Sequence, residues 1–241
     1  MKGIILSGGL GTRLRPLTKV ISKQLLPVYN KPMIFYPLNT LIKAGVKEIL
    51  IIVAPESASA YKNLLGNGEE FGVSLSYAIQ DKPAGLPQAF VIGEQFINNE
   101  NVVLILGDNI FEDDMSGAIA SFKSGGKVFA KKVSDPERLG VVKFDADMKA
   151  EKIVEKPKEW ISDYGITGLY LYDNRVIEVA KTLQPSSRGE FEIVDLHNWY
   201  LNQGELEVAV IDGAWIDAGT FDSLLEAQVL AKEKLQDKMV I

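Results

Sequence analysis

The sequence has no cysteine and only one histidine, His197, among its 241 residues. Without cysteine the chain cannot form disulfide bonds, thiolate nucleophiles or cysteine-ligated zinc sites. It also lacks any apolar run that approaches the roughly 18 residues of a membrane-spanning helix. The apolar run after Lys2 is short and broken by glycines, which is not typical of a signal peptide. We therefore expect a soluble cytoplasmic protein that has no membrane partner.

Positive charge is also in deficit, because 26 lysines and arginines face 32 aspartates and glutamates, giving a net charge of −6. Such a surface does not attract nucleic acid, so any phosphate binding must depend on locally concentrated positive charge. Hydrophobic residues make up 46% of the chain and allow a sizeable core. The length suits one large α/β domain or two small ones.

Short apolar runs alternate with helical patterns in the first half of the chain. This alternation predicts βαβ units and a mainly parallel sheet flanked by helices. The run 102–106 is apolar throughout, as expected for a central strand buried on both faces. Pro32 suits the first turn of its helix, and Pro37 should kink or interrupt it. The predicted strands are 4–6, 48–53, 74–79 and 102–106, and the predicted helices are 32–44, 57–65 and 86–96.

The second half of the chain has more strands and fewer helices, which indicates antiparallel additions to the sheet. No internal repeat, low-complexity tract or linker separates the halves. We therefore predict one α/β domain over residues 1–241, with a Rossmann-like first lobe at about 1–110 and a second lobe at about 111–241. The predicted strands are 127–133, 141–144, 150–155, 166–172 and 208–211, and the predicted helices are 174–183, 192–202 and 221–234.

A glycine-rich loop with the sequence GGLGTR follows the first strand. Glycines let backbone N–H groups approach a polyphosphate, and Arg13 and the later Lys23 supply the positive charge that phosphate requires. The spacing excludes the dinucleotide fingerprint of NAD-binding oxidoreductases, because Leu14 stands where the third glycine belongs. It also excludes a Walker A loop, which would end in Gly-Lys-Ser/Thr rather than Gly-Thr-Arg. An ordinary tight turn is the alternative.

The run GGLGTRLRPLT, followed by SKQLLPV, resembles the signature of the sugar-1-phosphate nucleotidyltransferases. The resemblance continues through KPMIFYPLNTLIKAGVKEILII, LGDNIF, EKP, ITGLYLYD, SRGEFEIVD and WIDAGTFDSLLEA, and so covers nearly the whole chain. It implies the nucleotidyltransferase fold, in which the first lobe binds the nucleotide and the second binds the sugar phosphate. Within the family, the likeness is to members that use dTTP and glucose-1-phosphate.

For the nucleotide, the resemblance implies catalytic roles for Arg13, Lys23 and Asp108. The glycine loop would hold the phosphates of the triphosphate. A glutamine suits the edge of a pyrimidine because its amide offers both a donor and an acceptor; for the segment from Gln80 to Gly85, an ordinary Pro/Gly loop is the alternative. The implied nucleotide-binding residues are Leu6, Gly8, Gly9, Gly11, Thr12, Arg13, Gln80 and Gly85.

Two aspartates each follow an apolar segment. Asp108 comes after the run 102–106, and ligands of open α/β sheets bind beyond the carboxyl ends of such strands. Asp217 follows Trp215 and Ile216. Mg²⁺ is usually held by one or two carboxylates together with phosphate oxygens, and the resemblance implies that both aspartates bind this ion. The alternatives are a turn residue for Asp108 and, for Asp217, an N-cap of the helix that begins near Thr220.

The motif Glu155-Lys156-Pro157 ends a predicted strand. From composition alone it reads as a surface ion pair before a turn. The resemblance implies instead that the glutamate accepts hydrogen bonds from sugar hydroxyls and that the lysine contacts the sugar phosphate. The implied sugar-phosphate-binding residues are Asn109, Gly140, Glu155, Lys156, Thr167 and Arg188. His197 lies in a helical pattern and receives no catalytic role.

Together these features predict an enzyme that uses Mg²⁺ to make dTDP-glucose and pyrophosphate from dTTP and glucose-1-phosphate. A sugar-phosphate oxygen would attack the α-phosphorus in line, without a covalent enzyme intermediate. The sequence leaves open whether the donor is UTP or a triphosphate of another base, and whether the acceptor is another sugar-1-phosphate. A non-catalytic regulatory or scaffold subunit on the same fold is the alternative from another class. Members of this type extend further at the C-terminus, so we expect no family-type feedback site, and a homo-oligomer stays open.

Overall fold

The computed structural model describes residues 1–235 and 238–241 and divides them into two units. Unit 1 consists of Met1–Pro83, Val103–Ser121 and Gly213–Ile241. Unit 2 consists of Ala84–Val102 and Phe122–Asp212. The end of the chain therefore folds with its beginning in unit 1.

Unit 1 is built on a parallel sheet. The strands of the whole unit are β1 (Lys2–Ser7), β2 (Pro27–Val28), β3 (Lys31–Pro32), β4 (Glu48–Val53), β5 (Ser74–Ile79), β6 (Val102–Leu106, from Val103 onward), β7 (Asn109–Phe111) and β13 (Trp215–Asp217). Within the parallel sheet, β1, β4 and β6 are buried and mostly apolar. In the sheet order β6-β1-β4-β5, β4 pairs in parallel with both β1 and β5. All residues of β1 are buried, as expected for a strand covered on both faces.

Two further strand pairs of unit 1 are antiparallel and lie apart from the main sheet. β2 pairs with β3, and β7 pairs with β13. The helices are α1 (Phe35–Lys43), α2 (Ala58–Leu65), α5 (Ser116–Ala120) and α8 (Phe221–Leu230), which continues as a π-helical turn (Ala231–Leu235). Short 3₁₀ helices occupy Thr12–Leu14, Leu17–Lys19, Lys23–Leu25, Pro55–Ser57 and Glu69–Phe71.

A buried apolar cluster of unit 1 lies under the segments that follow the glycine loop. Leu14 and Leu26 from those segments pack with Ile110 of β7 and with Leu224 and Leu230 of α8. Because removing such side chains from water stabilises the folded state, this cluster anchors otherwise irregular chain.

Unit 2 carries a mostly antiparallel sheet in the order β10-β9-β11-β8-β12. Antiparallel pairs join β10 to β9, β9 to β11 and β11 to β8, whereas β12 pairs in parallel with β8. The strands are β8 (Gly126–Lys132), β9 (Gly140–Phe144), β10 (Ala150–Glu155), β11 (Tyr164–Tyr172) and β12 (Leu206–Val210). The helices are α3 (Gln88–Ile92), α4 (Glu94–Ile97), α6 (Val176–Thr182) and α7 (Ile193–Asn202), with a 3₁₀ helix at Pro136–Arg138.

The predicted α/β class, with a parallel sheet and antiparallel additions, is confirmed. Two proline predictions are wrong. Pro32 lies in β3 rather than in the first turn of a helix, and α1 begins only at Phe35. Pro37 is the third residue of α1 and does not interrupt it, because the first four N–H groups of a helix have no partner within the helix.

The predicted helix 86–96 is two short helices, α3 and α4, which meet at Gly93. Within residues 1–235 and 238–241, no helix is both long and apolar enough to cross a membrane.

Candidate active site

A buried ion pair joins Lys23 to Asp108 in unit 1. Lys23 opens the 3₁₀ helix Lys23–Leu25, and Asp108 lies in the turn between β6 and β7. Lys23 Nζ donates a hydrogen bond to Asp108 Oδ2, and only 15% and 8% of the two side chains is exposed. Asp108 does lie in a turn, as the alternative expected. That turn also brings its carboxylate into contact with Lys23.

Both members of the pair stay charged at neutral pH. Burial alone would lower the pKa of Lys23, but the Asp108 carboxylate raises it above its usual value. Burial alone would raise the pKa of Asp108, but the charge and hydrogen bond of Lys23 hold it below its usual value. The arrangement is a pre-formed pair of opposite charges that is largely shielded from water.

Asp217 ends β13 next to this pair. In the β7–β13 ladder it lies opposite Asn109, and the Ala218 N–H donates to the Asp108 carbonyl oxygen at 2.9 Å. Its charge also acts on Lys23. The N-cap alternative for Asp217 is wrong, because Thr220 caps α8 through a reciprocal pair of hydrogen bonds with Ser223.

Arg13 lies in the 3₁₀ helix Thr12–Leu14, and its guanidinium packs against Gly219. A Cβ atom at Gly219 would lie 2.5 Å from Arg13 Nη2 and 2.8 Å from Asp217 Oδ1. The absence of a side chain there lets the two groups approach, and the Arg13 charge also acts on Lys23. Unit 1 thus gathers four of the predicted site residues, Arg13, Lys23, Asp108 and Asp217.

The three loop glycines differ in backbone conformation and in the space around them. Gly11 adopts a left-handed backbone (φ +58°), which an L side chain rarely adopts, and its carbonyl accepts from Thr18 Oγ1 at 2.7 Å. A Cβ at Gly8 would collide with Oε1 of Gln80, whereas Gly9 has open space around it. Gln80 is almost fully buried, and its closeness to Gly8 shows that the loop and this predicted base-reading residue are in contact.

The other predicted nucleotide-binding residues are placed as follows. The Leu6 carbonyl accepts from the N–H of Gly107 at 3.0 Å, which links β1 to the turn that carries Asp108. Thr12 is exposed at the start of its 3₁₀ helix. Gly85 belongs to unit 2, where a Cβ would collide with the Phe191 backbone.

A second charged group lies in unit 2 around Arg188. Its Nη2 donates to Glu155 Oε1 at 3.0 Å and to Glu192 Oε2 at 2.6 Å. The hydrogen bond to Glu192 raises the pKa of Arg188, and Arg188 in turn holds the pKa of Glu192 below its usual value against the opposing effect of burial. Lys156 Nζ lies 3.6 Å from Glu155 Oε1, so the ion pair read from composition does form.

Gly140 and Thr167 lie on strands of the same unit. Gly140 pairs with Glu155 in the β9–β10 ladder, and a Cβ there would lie 3.5 Å from Glu155 Oε2. Thr167 on β11 is fully buried, and its Oγ1 finds no hydrogen-bond partner within the described residues. Asn109, the remaining residue of this predicted set, lies in unit 1, where its Oδ1 accepts from Trp215 Nε1 at 2.6 Å.

The carboxylates of unit 1 fit a Mg²⁺ ion by their chemistry. Asp108 is held ionised, and Asp217 ends the strand paired beside it. Oxygen ligands from one or two carboxylates, completed by phosphates and water, are what this ion takes. Among the described residues no three histidine, cysteine, aspartate or glutamate side chains cluster as metal ligands, so a bound ion would need those further oxygens.

Three residues of these groups escaped the sequence reasoning. Glu192 stands in the quoted motif SRGEFEIVD. Its ion pair with Arg188 forms outside any helix, so the pattern of helical residues could not predict it. Gly219 stands in WIDAGT, and only the packing of Arg13 shows why it must be small. Trp215 precedes Asp217 in the same motif. The hydrogen bond from its indole N–H to Asn109 could not be predicted from the neighbouring sequence.

Comparison with known proteins agrees with these observations. A family model described as nucleotidyl transferase matches residues 2–234. The glucose-1-phosphate thymidylyltransferase of Neisseria meningitidis is 54% identical over 234 residues, covering 94% of this chain and 81% of that protein. The enzyme of the same name from Mycolicibacterium smegmatis is 54% identical over 232 residues, with the same coverage.

A solved structure gives the same picture. It is a Bacillus anthracis protein provisionally assigned as a glucose-1-phosphate thymidylyltransferase, in complex with sucrose. The two chains are 47% identical and superimpose with a TM-score of 0.92, covering 97% of this chain and 96% of the other. The nucleotidyltransferase fold predicted from the motifs is therefore confirmed.

Proposed function

We propose, since the chain belongs to the nucleotidyl transferase family, that it transfers the thymidylyl group of dTTP to glucose-1-phosphate, giving dTDP-glucose and pyrophosphate. The observation that carries this proposal is the buried Lys23–Asp108 ion pair, which lies with Arg13 and Asp217 in the unit that bears the glycine loop. The names of the relatives that are 54% identical supply the substrates.

Unit 1 supplies charge where the triphosphate reacts. We assign the backbone of Gly8–Gly11 and the Arg13 guanidinium to the phosphates that leave as pyrophosphate. Lys23, kept protonated by Asp108, counters the negative charge that grows around the α-phosphorus. Because these groups are already oriented, they need little rearrangement during the reaction.

Unit 2 supplies groups for the sugar phosphate. We assign Lys156 to the phosphate, because an ammonium forms strong charge-assisted hydrogen bonds with phosphate oxygens. We assign the Glu155 carboxylate, which Arg188 holds by a 3.0 Å hydrogen bond, to the sugar hydroxyls. The buried Thr167 hydroxyl and the missing side chain at Gly140 complete this set.

Asp108 and Asp217 are the residues that would hold Mg²⁺, which when bound supplies further neutralisation of phosphate charge. The in-line attack itself needs no nucleophile from the protein, since the sugar-phosphate oxygen is the attacking group. The role of this chain's own residues is then to bind, orient and neutralise the two substrates.

The test is pyrophosphate release from dTTP and glucose-1-phosphate, with dTDP-glucose identified by mass. UTP, CTP, ATP and GTP, each paired with several hexose-1-phosphates, give the specificity for base and sugar. We expect the highest kcat/KM with dTTP and glucose-1-phosphate, and pyrophosphate release about 10²–10³-fold slower in the Asp108→Asn variant. Turnover with a different pair alone would reassign the substrates, and no turnover with any pair would favour a regulatory or scaffold subunit.

A further inference from the structure

Tyr61 on α2 is fully buried, and its hydroxyl lies between the two residues that flank Lys23. The hydroxyl oxygen is 3.0 Å from Ser22 Oγ and donates to Gln24 Oε1 at 3.3 Å. Ser22 Oγ in turn donates to Gln24 Oε1 at 2.8 Å. A closed triangle of polar groups therefore holds the chain on both sides of the lysine.

Gln24 also touches the segment that carries the other partner of the ion pair. Only 1% of Gln24 is exposed, and a Cβ added at Gly107 would lie 3.0 Å from its Cγ. Gly107 immediately precedes Asp108, whose charge acts on Tyr61. The side chain that Tyr61 binds is thus packed against the backbone next to Asp108 as well as being adjacent to Lys23.

The lysine needs such support for a physical reason. Its four-carbon stem is flexible, and the 3₁₀ helix that carries it has only three residues. A tyrosine has few rotatable bonds, and one enclosed in a helix–sheet core keeps its hydroxyl in place. Burial raises the pKa of Tyr61 to about 12, so the hydroxyl keeps its proton at physiological pH.

We infer that Tyr61 is a positioning residue for nucleotidyl transfer, whose hydroxyl orients the Lys23–Asp108 pair through Ser22 and Gln24. This inference rests on the proposed function of the pair. It predicts that the hydroxyl matters more for turnover than for substrate binding, because the pair acts on charge that develops in the transition state.

The first test compares Tyr61→Phe with Tyr36→Phe. Tyr36 is a matched control, because it is also buried in unit 1 and its hydroxyl donates to the Val28 carbonyl at 2.8 Å. We expect Tyr61→Phe to lower kcat about tenfold with little change in the KM for dTTP, as for a small misplacement of reacting groups. Tyr36→Phe should leave both constants near wild type. Equal kcat values for the two variants would overturn the inference.

A mutant cycle separates positioning from a general structural role. In a Lys23→Ala background the pair no longer exists, so adding Tyr61→Phe should lower kcat no further. A second tenfold loss in that background would show that Tyr61 acts through something other than the pair.

A measurement without substrate keeps the inference testable if Lys23→Ala folds poorly or if the proposed reaction is not found. The ¹H–¹⁵N signal of the Lys23 ammonium, protected by its buried partner, should be visible in the wild type and in Tyr36→Phe. It should shift or broaden in Tyr61→Phe. An unchanged signal would refute the positioning role, whereas a wild type without turnover but with the expected spectra would refute only the proposed reaction.

Discussion

Lys23 and Asp108 are 85 positions apart in the chain, yet they form one buried ion pair in unit 1. Each keeps the other charged in surroundings that would by themselves neutralise it. Taking two ions out of water is costly and is repaid only when their geometry is good. A pair of this kind therefore couples the stability of unit 1 to the chemistry assigned to it.

Breaking the pair from one side should harm both stability and activity. Lys23→Ala leaves the Asp108 charge buried without its partner, and we expect the free energy of unfolding to fall by about 3–5 kcal/mol. Adding Asp108→Asn should recover most of that stability and none of the activity. Denaturant titrations and pyrophosphate release check both parts, and the exposed Lys47→Ala serves as control.

Arg13→Ala, Lys23→Ala and Asp108→Asn should each lower turnover by about 10²–10³-fold, since each removes a pre-oriented charge. Single-turnover rates at saturating substrate measure this loss. Near-normal rates in all three variants would contradict the assignment of these residues to catalysis.

The glycine loop allows a comparison of two alanine substitutions only two positions apart. Gly11→Ala should cost about 1–2 kcal/mol, because its backbone is left-handed and the new Cβ would lie 3.0 Å from Thr18 Cγ2. Gly9→Ala has room for a Cβ and should melt like the wild type. Its methyl group should instead obstruct the phosphates and raise the KM for dTTP about tenfold. A Gly9→Ala variant with unchanged KM would remove this glycine from the phosphate grip.

Lys156 should matter for the sugar phosphate and not for folding. About half of its side chain is exposed, so Lys156→Ala should leave the melting temperature unchanged. Loss of a charge-assisted hydrogen bond should raise the KM for glucose-1-phosphate about 10- to 100-fold and leave the KM for dTTP near wild type. Lys158→Ala, which removes an exposed lysine of the same segment, is the matched control. Equal effects from both lysines would point to overall charge instead of a specific contact.

His197 should make the protein sensitive to acid. Its side chain is fully buried beside the Tyr172 hydroxyl, 2.6 Å from Nδ1, and burial lowers its pKa from 6.5 to about 3. Between those values the unfolded chain binds a proton that the folded chain does not. The free energy of unfolding should therefore fall as the pH drops below 6.5, by up to ~1.4 kcal/mol per pH unit.

His197→Asn provides the control, because its amide can still bond to the Tyr172 hydroxyl but does not titrate. Urea unfolding at a series of pH values should show a shallower acid dependence for this variant than for the wild type. Parallel curves would mean that the histidine is not held neutral in the folded protein.

Strands with a continuous apolar pattern were predictable from the chain alone. β4 and β6 have the predicted bounds, because a strand buried on both faces needs apolar residues at nearly every position. The bounds of β5 are also as predicted, although only Leu75 of that strand is buried. Local rules failed at Pro32, which lies opposite Pro27 in the β2–β3 pair, so that α1 begins only at Phe35. Strand pairing outweighs such weak local preferences.

The α/β class, the family and the charged candidate site residues could be predicted from the sequence, because motifs and apolar periodicity are local properties of the chain. The predicted single domain over residues 1–241, the site assignments and the oligomeric state stay predictions. The folded structure was needed to show that Lys23 pairs with Asp108, that Trp215 donates to Asn109, and that Tyr61 donates to Gln24 beside Lys23. These contacts join residues far apart in the chain, and their positions depend on how strands pair and what is buried between them, which no local pattern specifies.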